Sequence, residues 1–137
     1  MSFQLNVLLQ CASAELATEV ARQVARDTRP LFEEDVSPGL LPLFRVVELI
    51  EFPNEVEASG VQVWLSWFDQ EHWQFQDMVK LLALPGIALL AAYEVPDYVD
   101  DEEGRWFWVP QGDRYRQLAL AEAKQSLAQD VVEKLMR

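Results

Sequence analysis

Residues 3–29, FQLNVLLQCASAELATEVARQVARDTR, change their hydrophobic period from two to about four, and this change indicates how the fold begins. Apolar residues alternate with polar ones over most of residues 3–9, which predicts a strand with one buried face. Ser13 offers a helix N-cap, and Glu15 follows in the first turn, where the helix dipole favours an anion. Apolar residues then recur at helical spacing until about Arg29, just before a proline. A strand followed by an amphipathic helix is therefore predicted.

The next part of the chain predicts a loop and then a hairpin. Residues 30–43 contain three prolines and an acidic run, a composition typical of loops. Four apolar residues are expected to fasten this loop to the body of the protein: Leu31, Phe32, Leu40 and Leu41. Residues 44–52 and 61–68 are apolar enough to be strands. Because the connector 53–60 is rich in turn residues at both ends, an antiparallel hairpin is the simplest arrangement.

The second half predicts two helices and two strands. Residues 71–84 and 113–136 carry apolar residues at helical spacing, with Asp113 as the N-cap of the second helix. The apolar stripe expected on that last helix is Leu120, Ala123, Leu127, Val131 and Leu135. Residues 87–93 are an unbroken apolar run, the pattern of a central strand covered on both faces. Residues 105–109, RWFWV, predict a short aromatic strand.

The predicted order of elements is β-α-β-β-α-β-β-α. Its first six elements match the ferredoxin-like split β-α-β arrangement. We therefore expect an α+β fold, with a ferredoxin-like β-α-β-β-α-β core, an added strand and a C-terminal helix. The 137 residues suit one domain, and no internal linker divides them, so residues 1–137 are expected to form a single α+β domain.

Composition limits the possible partners. The chain has 23 Asp and Glu against 11 Lys and Arg, a formal charge of -12, and half of its residues are apolar. Binding to nucleic acid and to anionic membranes both depend on basic residues, so neither is expected. Cys11 is the single cysteine, which excludes an intramolecular disulfide. The first residues lack a basic segment and no apolar run approaches membrane length, so a cytoplasmic location is predicted.

Motifs that carry chemistry are few. His72 is the single histidine, and no G-x-S-x-G elbow or glycine-rich phosphate loop is present. Cys11 has no nearby basic residue that would lower its pKa, and one Cys with one His cannot ligate zinc. Hard cations favour clustered carboxylates such as those of 97–103, but adjacent carboxylates without a glycine-organised loop repel each other. We therefore predict no enzyme activity, no cofactor and no metal.

Aromatic residues are the least ordinary feature. By the two-residue period, large aromatics of 61–68 and 105–109 face both sides of the predicted sheet. Either the C-terminal helix covers the second face, or some aromatics stay open beside the acidic run. Exposed aromatics among carboxylates suit a protein interface, because aromatics supply buried area and charge speeds encounter. The predicted partner-binding residues are Asp97, Tyr98, Asp100, Asp101, Glu102, Glu103, Trp106 and Trp108.

In its size, its acidity and its lack of catalytic motifs, the chain resembles the immunity proteins of bacterial toxin–immunity pairs. The resemblance implies a stoichiometric inhibitor that binds a cognate, basic toxin domain in the cytoplasm. Two alternatives remain open at this point. One is a regulatory or structural ferredoxin-like subunit that docks on a larger protein, and the other is a carboxylate- or metal-dependent enzyme. A toxin-domain gene beside this one would favour the inhibitor.

Overall fold

One antiparallel sheet organises the molecule. The structure, a computed structural model, describes residues 3–68, 80–81, 84–96 and 104–137. The strands described are β1 (Phe3–Cys11), β2 (Glu55–Ser59), β3 (Gln62–Phe68), β4 (Ile87–Pro96), β5 (Trp106–Gln111) and β6 (Arg114–Leu118). They form a six-stranded sheet in the order β2-β3-β1-β4-β5-β6, with every neighbouring pair antiparallel. The α+β class expected from the sequence is confirmed.

Helices cover both faces of this sheet. The α-helices described are α1 (Ala14–Val24), α2 (Leu41–Ile50), α3 (Leu120–Ser126) and α4 (Gln129–Leu135). Two 3₁₀ helices, Glu33–Asp35 and Pro38–Leu40, lie between α1 and α2. Most of the predicted helix 71–84 and all of the acidic run 97–103 lie outside the described residues. Among the described helices, none is long and apolar enough to cross a membrane.

The hydrophobic interior divides into two cores, one on each face of the sheet. The first core packs α1 and α2 against residues such as Val7, Leu65 and Trp67. The second core packs α3 and α4 against the opposite face, where Leu8 and Phe107 are buried. Residues that alternate along one strand therefore reach different cores, as the pleat of a strand requires. The central strand β4 contributes to both, as its unbroken apolar run predicts.

The prediction of a strand over residues 44–52 was wrong, because α2 occupies Leu41–Ile50. Leu43, Phe44 and Val47 are buried in the first core at the three-to-four spacing of a helix. Glu51, at φ 130°, ends the helix, and its N–H donates to the carbonyl of Val47 at 2.7 Å. Short apolar runs fit a strand or a helix equally well by composition, and burial against the sheet selected the helix.

The hairpin exists, but its first strand is β2 rather than 44–52. Ser59 pairs with Gln62 across a two-residue turn, and Gly60 has φ 59°. A positive φ at this position suits the tight turns that join twisted antiparallel strands. The predicted connector 53–60 therefore contains a strand, and the turn is confined to its last residue and the next.

The prediction of one helix over 113–136 was also wrong. Gln111 pairs with Arg114 across a second two-residue turn, in which Gly112 has φ 66°. Asp113 therefore lies in the turn of the β5–β6 hairpin and does not cap a helix. The chain then forms two short helices, because Leu127 adopts an extended conformation between them. The predicted apolar stripe is nevertheless confirmed as inward-facing. Ala123, Val131 and Leu135 are buried, and Leu120 and Leu127 pack against the second core.

Helix α1 is shorter than predicted, ending at Val24 rather than near Arg29. The Arg26 guanidinium donates to the carbonyls of Phe52 and Pro53 at 2.8–3.2 Å, which holds the chain after α1 against the segment after α2. The Ser13 cap is confirmed, since its hydroxyl accepts from the Leu16 N–H at 3.1 Å.

The predicted loop 30–43 holds both 3₁₀ helices and the start of α2, and it is fastened differently than expected. Leu40 is buried in the first core and Leu41 packs against it, as predicted, and Val36 is buried there as well. Leu31 and Phe32 instead face outward, so the prediction that they fasten the loop was wrong.

Candidate interaction surface

The predicted partner-binding residues fall into two groups. Six of them lie outside the described residues: Asp97, Tyr98, Asp100, Asp101, Glu102 and Glu103. Trp106 and Trp108 lie on β5 and are half-buried. The Trp108 indole N–H donates to a carboxylate oxygen of Glu94 at 2.9 Å, and the ring packs against the first core. The indole N–H of Trp108 and part of its ring are thus already in contact with other residues of the chain. The partner-binding surface proposed from the sequence stays a prediction.

Among the described residues, α3 and α4 cover the part of the second face that holds Trp64, Tyr93 and Phe107. Leu135 of α4 is 0% exposed, and in the same core the rings of Tyr93 and Phe107 are tilted by 33° with their centroids 4.6 Å apart. Trp64 on the same face is 7% exposed, and the Arg137 guanidinium lies 5.5 Å from its ring centroid. Trp64, Tyr93 and Phe107 are therefore core residues, whereas Phe68, which lies on the same face by alternation, is half-buried.

A buried polar cluster ties α4 to the middle of the sheet. The Asn6 amide donates to the Leu135 carbonyl at 2.6 Å, and its oxygen accepts from the Ser66 hydroxyl at 2.6 Å. Asn6 and Ser66 are 1% and 0% exposed. Buried polar groups that satisfy each other fix one arrangement of the elements that carry them. This cluster explains why the short α4 sits in one place, and it is structural.

Large apolar side chains are exposed at one place on α2 and its neighbouring loop. Leu31, Phe32 and Leu49 are 78%, 60% and 57% exposed, the highest values among the large apolar residues that the structure describes. We call these three residues the α2 patch. An exposed aromatic ring and two exposed leucines would gain favourable hydrophobic free energy if a partner buried them. Exposed apolar patches therefore often mark protein-binding sites.

Two contacts hold the loop part of the patch beside α2. The Glu33 carboxylate forms an ion pair with Arg45, and the Arg29 guanidinium lies over the Phe52 ring at 4.3 Å from its centroid. Leu31 and Phe32 lie between these two anchor points. Leu49 follows Arg45 by four residues, and residues spaced by four share a helix face. These contacts place the loop that carries Leu31 and Phe32 beside the helix that carries Leu49.

Carboxylates surround this region. Glu33, Glu34 and Asp35 directly follow Phe32, and all three are exposed. Glu48 and Glu51 flank Leu49 and are also exposed. The cations beside these residues are each engaged with a neighbour: Arg45 with Glu33, Arg26 with Glu51 and Arg29 with the Phe52 ring. An apolar centre within a mainly acidic rim is complementary to a basic partner.

The Glu19 carboxylate of α1 contacts the same loop through a hydrogen bond. It accepts from Arg22 at 2.6 Å, from Gln23 at 2.8 Å and from the Ser37 hydroxyl at 3.2 Å. These hydrogen bonds, Arg22 foremost, lower the pKa of Glu19 to about 2. Gln23 of α1 is buried, and its amide donates to the Ser37 hydroxyl at 3.1 Å. The loop that carries Leu31 and Phe32 is therefore positioned from both ends.

Side chains that could act in catalysis or bind a metal are not grouped together among the described residues. Cys11 is buried, and burial raises the pKa of its thiol, which disfavours the nucleophilic thiolate. His72 lies outside the described residues. No group of three His, Cys, Asp or Glu in the described ranges is placed to hold a metal ion.

Two surface grooves of the described part of the chain bring together no nucleophile and base. One has a volume of about 690 Å³ and the other about 480 Å³. The first is lined by Lys124, Gln129, Val132, Glu133 and Met136. The second lies between the end of α1 and β2, and its charged lining residues are Arg26, Asp27, Glu55 and Glu57. Among the described residues that line them, neither groove has a Ser, Cys or His, the usual members of a hydrolase site.

The fold and this surface define an acidic α+β protein with a six-stranded antiparallel sheet and an exposed apolar patch. Comparison with protein-family models, with curated proteins and with solved structures finds no match. The α2 patch was missed by sequence reasoning, although its signal is visible as an apolar pair directly before an acidic triplet in a proline-containing loop.

Proposed function

We propose that this chain is a stoichiometric protein-binding inhibitor, an immunity protein that neutralises a basic toxin domain in the cytoplasm. The observation that carries the proposal is the α2 patch with its acidic rim. A partner that covers Leu31, Phe32 and Leu49 gains apolar burial, and its basic residues meet Glu33, Glu34 and Asp35. The formal charge of -12 speeds encounter with such a partner over a longer range.

We also infer that the part of the sheet formed by β2-β3-β1-β4 is a ferredoxin-like core, extended by the β5–β6 hairpin and by α3 and α4. The order of these four strands, all antiparallel, supports the inference. Because this fold hosts many functions, it adds nothing to the choice of function, which rests on the surface.

The test begins with the neighbouring gene. The protein encoded next to this chain in its genome is expressed in a bacterial host, alone and together with the chain. We expect growth arrest in the first case, rescue in the second, and a one-to-one complex on gel filtration. Absence of arrest, or arrest that the chain does not relieve, would contradict the proposal.

Variants then locate the surface. Leu31→Ser/Phe32→Ser should speed dissociation of that complex, because the buried centre of an interface carries most of its binding free energy. Glu34→Gln/Asp35→Asn should mainly slow association and weaken its dependence on salt. Val61→Ser is the matched control, since Val61 is exposed but lies at the β2–β3 turn. If only Trp106→Ala and neutralisation of residues 100–103 change the rates, the partner binds the surface predicted from the sequence.

A further inference from the structure

The two outer strands of the described sheet run in opposite directions. β2 and β6 are its first and last strands, and every neighbouring pair among the six is antiparallel. An even number of antiparallel strands gives two edges of opposite direction. Two copies placed side by side in the same orientation would therefore bring β6 of one against β2 of the next as an antiparallel pair.

These two edges also carry opposite charge. β2 reads EVEAS and contributes Glu55 and Glu57, whereas β6 reads RYRQL and contributes Arg114 and Arg116. All four side chains are exposed.

The four charged side chains lie on the same face of the sheet. Glu57 is paired with Trp64, and Arg116 is paired with Val109. Trp64 and Val109 both pack in the second core, and directly paired residues share a face. In copies that keep one orientation, the carboxylates and guanidiniums would meet on that face.

One register of β2 against β6 gives favourable side-chain pairs on both faces of the sheet. Placing Val56 opposite Tyr115 brings Glu55 opposite Arg116 and Glu57 opposite Arg114. Val56 and Tyr115 lie on the other face and are each half-buried against the first core. Directly opposed ion pairs and apolar pairs are the contacts that stabilise antiparallel strands.

We propose that this chain associates head to tail with a second copy of itself through pairing of β2 with β6. The alternative pairings are disfavoured, because β2 against β2 opposes carboxylates and β6 against β6 opposes guanidiniums. The contact is heterologous, so it extends to further copies unless the ring closes. The ion pairs Arg137–Glu57 at 2.7 Å and Arg116–Glu122 at 3.7 Å are exposed and can be exchanged on association.

The test is a charge exchange followed by complementation, read by sedimentation velocity over a range of protein concentrations at physiological salt. Wild type should sediment faster as its concentration rises. Glu55→Arg/Glu57→Arg and Arg114→Glu/Arg116→Glu should each weaken self-association about tenfold or more, because two cross-strand ion pairs become repulsive. Mixing the two variants should restore association, since each edge then finds an edge of opposite charge.

Glu15→Arg/Asp130→Arg is the matched control, because it changes net charge as Glu55→Arg/Glu57→Arg does but at exposed positions away from both edges. It should associate at least as well as wild type. If a double variant fails to fold by circular dichroism, the single exchanges Glu55→Arg and Arg116→Glu, which come opposite each other, replace it. A wild type that stays monomeric at every concentration, or a mixture that does not recover association, would overturn the proposal.

Discussion

At the scale of single residues, Asn6 shows how one buried polar side chain can hold an element in place. Its amide satisfies the last turn of α4, and its oxygen accepts from Ser66 and from Gln4, the latter at 3.2 Å. A buried carbonyl or hydroxyl that loses its partner costs its full desolvation free energy. The position looks unremarkable in the sequence, since it is an asparagine within an alternating strand.

We therefore predict that Asn6→Ala lowers the free energy of unfolding by about 2–3 kcal/mol, because the Leu135 carbonyl and the Ser66 hydroxyl lose a partner in the interior. Urea unfolding measures the change. Gln10→Ala, at an exposed position of the same strand, is the control and should stay within about 0.5 kcal/mol of wild type. An Asn6→Ala loss no greater than that of the control would show that the cluster does not hold α4.

At the scale of elements, two segments adopt the structure opposite to the one their sequence suggests. Residues 44–50 are rich in β-branched and aromatic residues yet form most of α2, and residues 114–118 form β6 although helical spacing continues beyond them. In both cases the neighbouring chain decides. α2 is buried against the first core, and β6 is held by a tight turn against β5.

A helix at α2 and a strand at β6 predict opposite orders of stability for Ala and Thr variants. At Glu48, an exposed position of α2, the Ala variant should be more stable than the Thr variant by roughly 0.5 kcal/mol, because Ala has the higher helix propensity. At Gln117, an exposed position of β6, the order should reverse, because Thr suits a pleated strand better. Urea midpoints of the four variants decide. The same order at both positions would contradict one of the two assignments.

At the scale of the whole molecule, the net charge of -12 opposes the compact state through self-repulsion. The ion pairs among the described residues join side chains that are at least one-third exposed, and such pairs contribute little stability. Stability therefore depends on the two apolar cores, and the acidic surface is retained at a cost. A cost of this kind is expected where the charge serves binding.

We predict that Tm rises when NaCl is increased from about 10 mM to about 500 mM at neutral pH, because screening shortens the range of the repulsion. Calorimetry or circular dichroism gives the shift. Near the sequence pI of 4.3 the same change in salt should have a smaller effect, since the net charge is close to zero. A Tm that falls with salt at neutral pH would mean that attractive pairs, rather than repulsion, dominate the electrostatics.

The candidate site was only partly accessible from the sequence. The acidity of the chain and the aromatic strand β5 were visible, and they pointed to residues 97–108. The α2 patch was not predicted, because Leu31 and Phe32 resemble Leu40 and Leu41 in type and neighbourhood. Which of two apolar pairs in one loop is buried depends on what lies beneath each, and here Val36 and Leu40 take the buried positions.

The sequence by itself determined those features that a local pattern specifies without ambiguity. Alternation specified β1 and β3, and an unbroken apolar run specified β4. The Ser13 hydroxyl specified the start of α1, and three-to-four spacing specified the inward stripe of the C-terminal helices.

The tertiary structure alone decided the helix α2, the strand β6, the order of the strands and the outward position of the α2 patch. The physical reason is that a short apolar run gains similar burial as a helix or as a strand. The choice between them is made by contacts with residues far away in the chain.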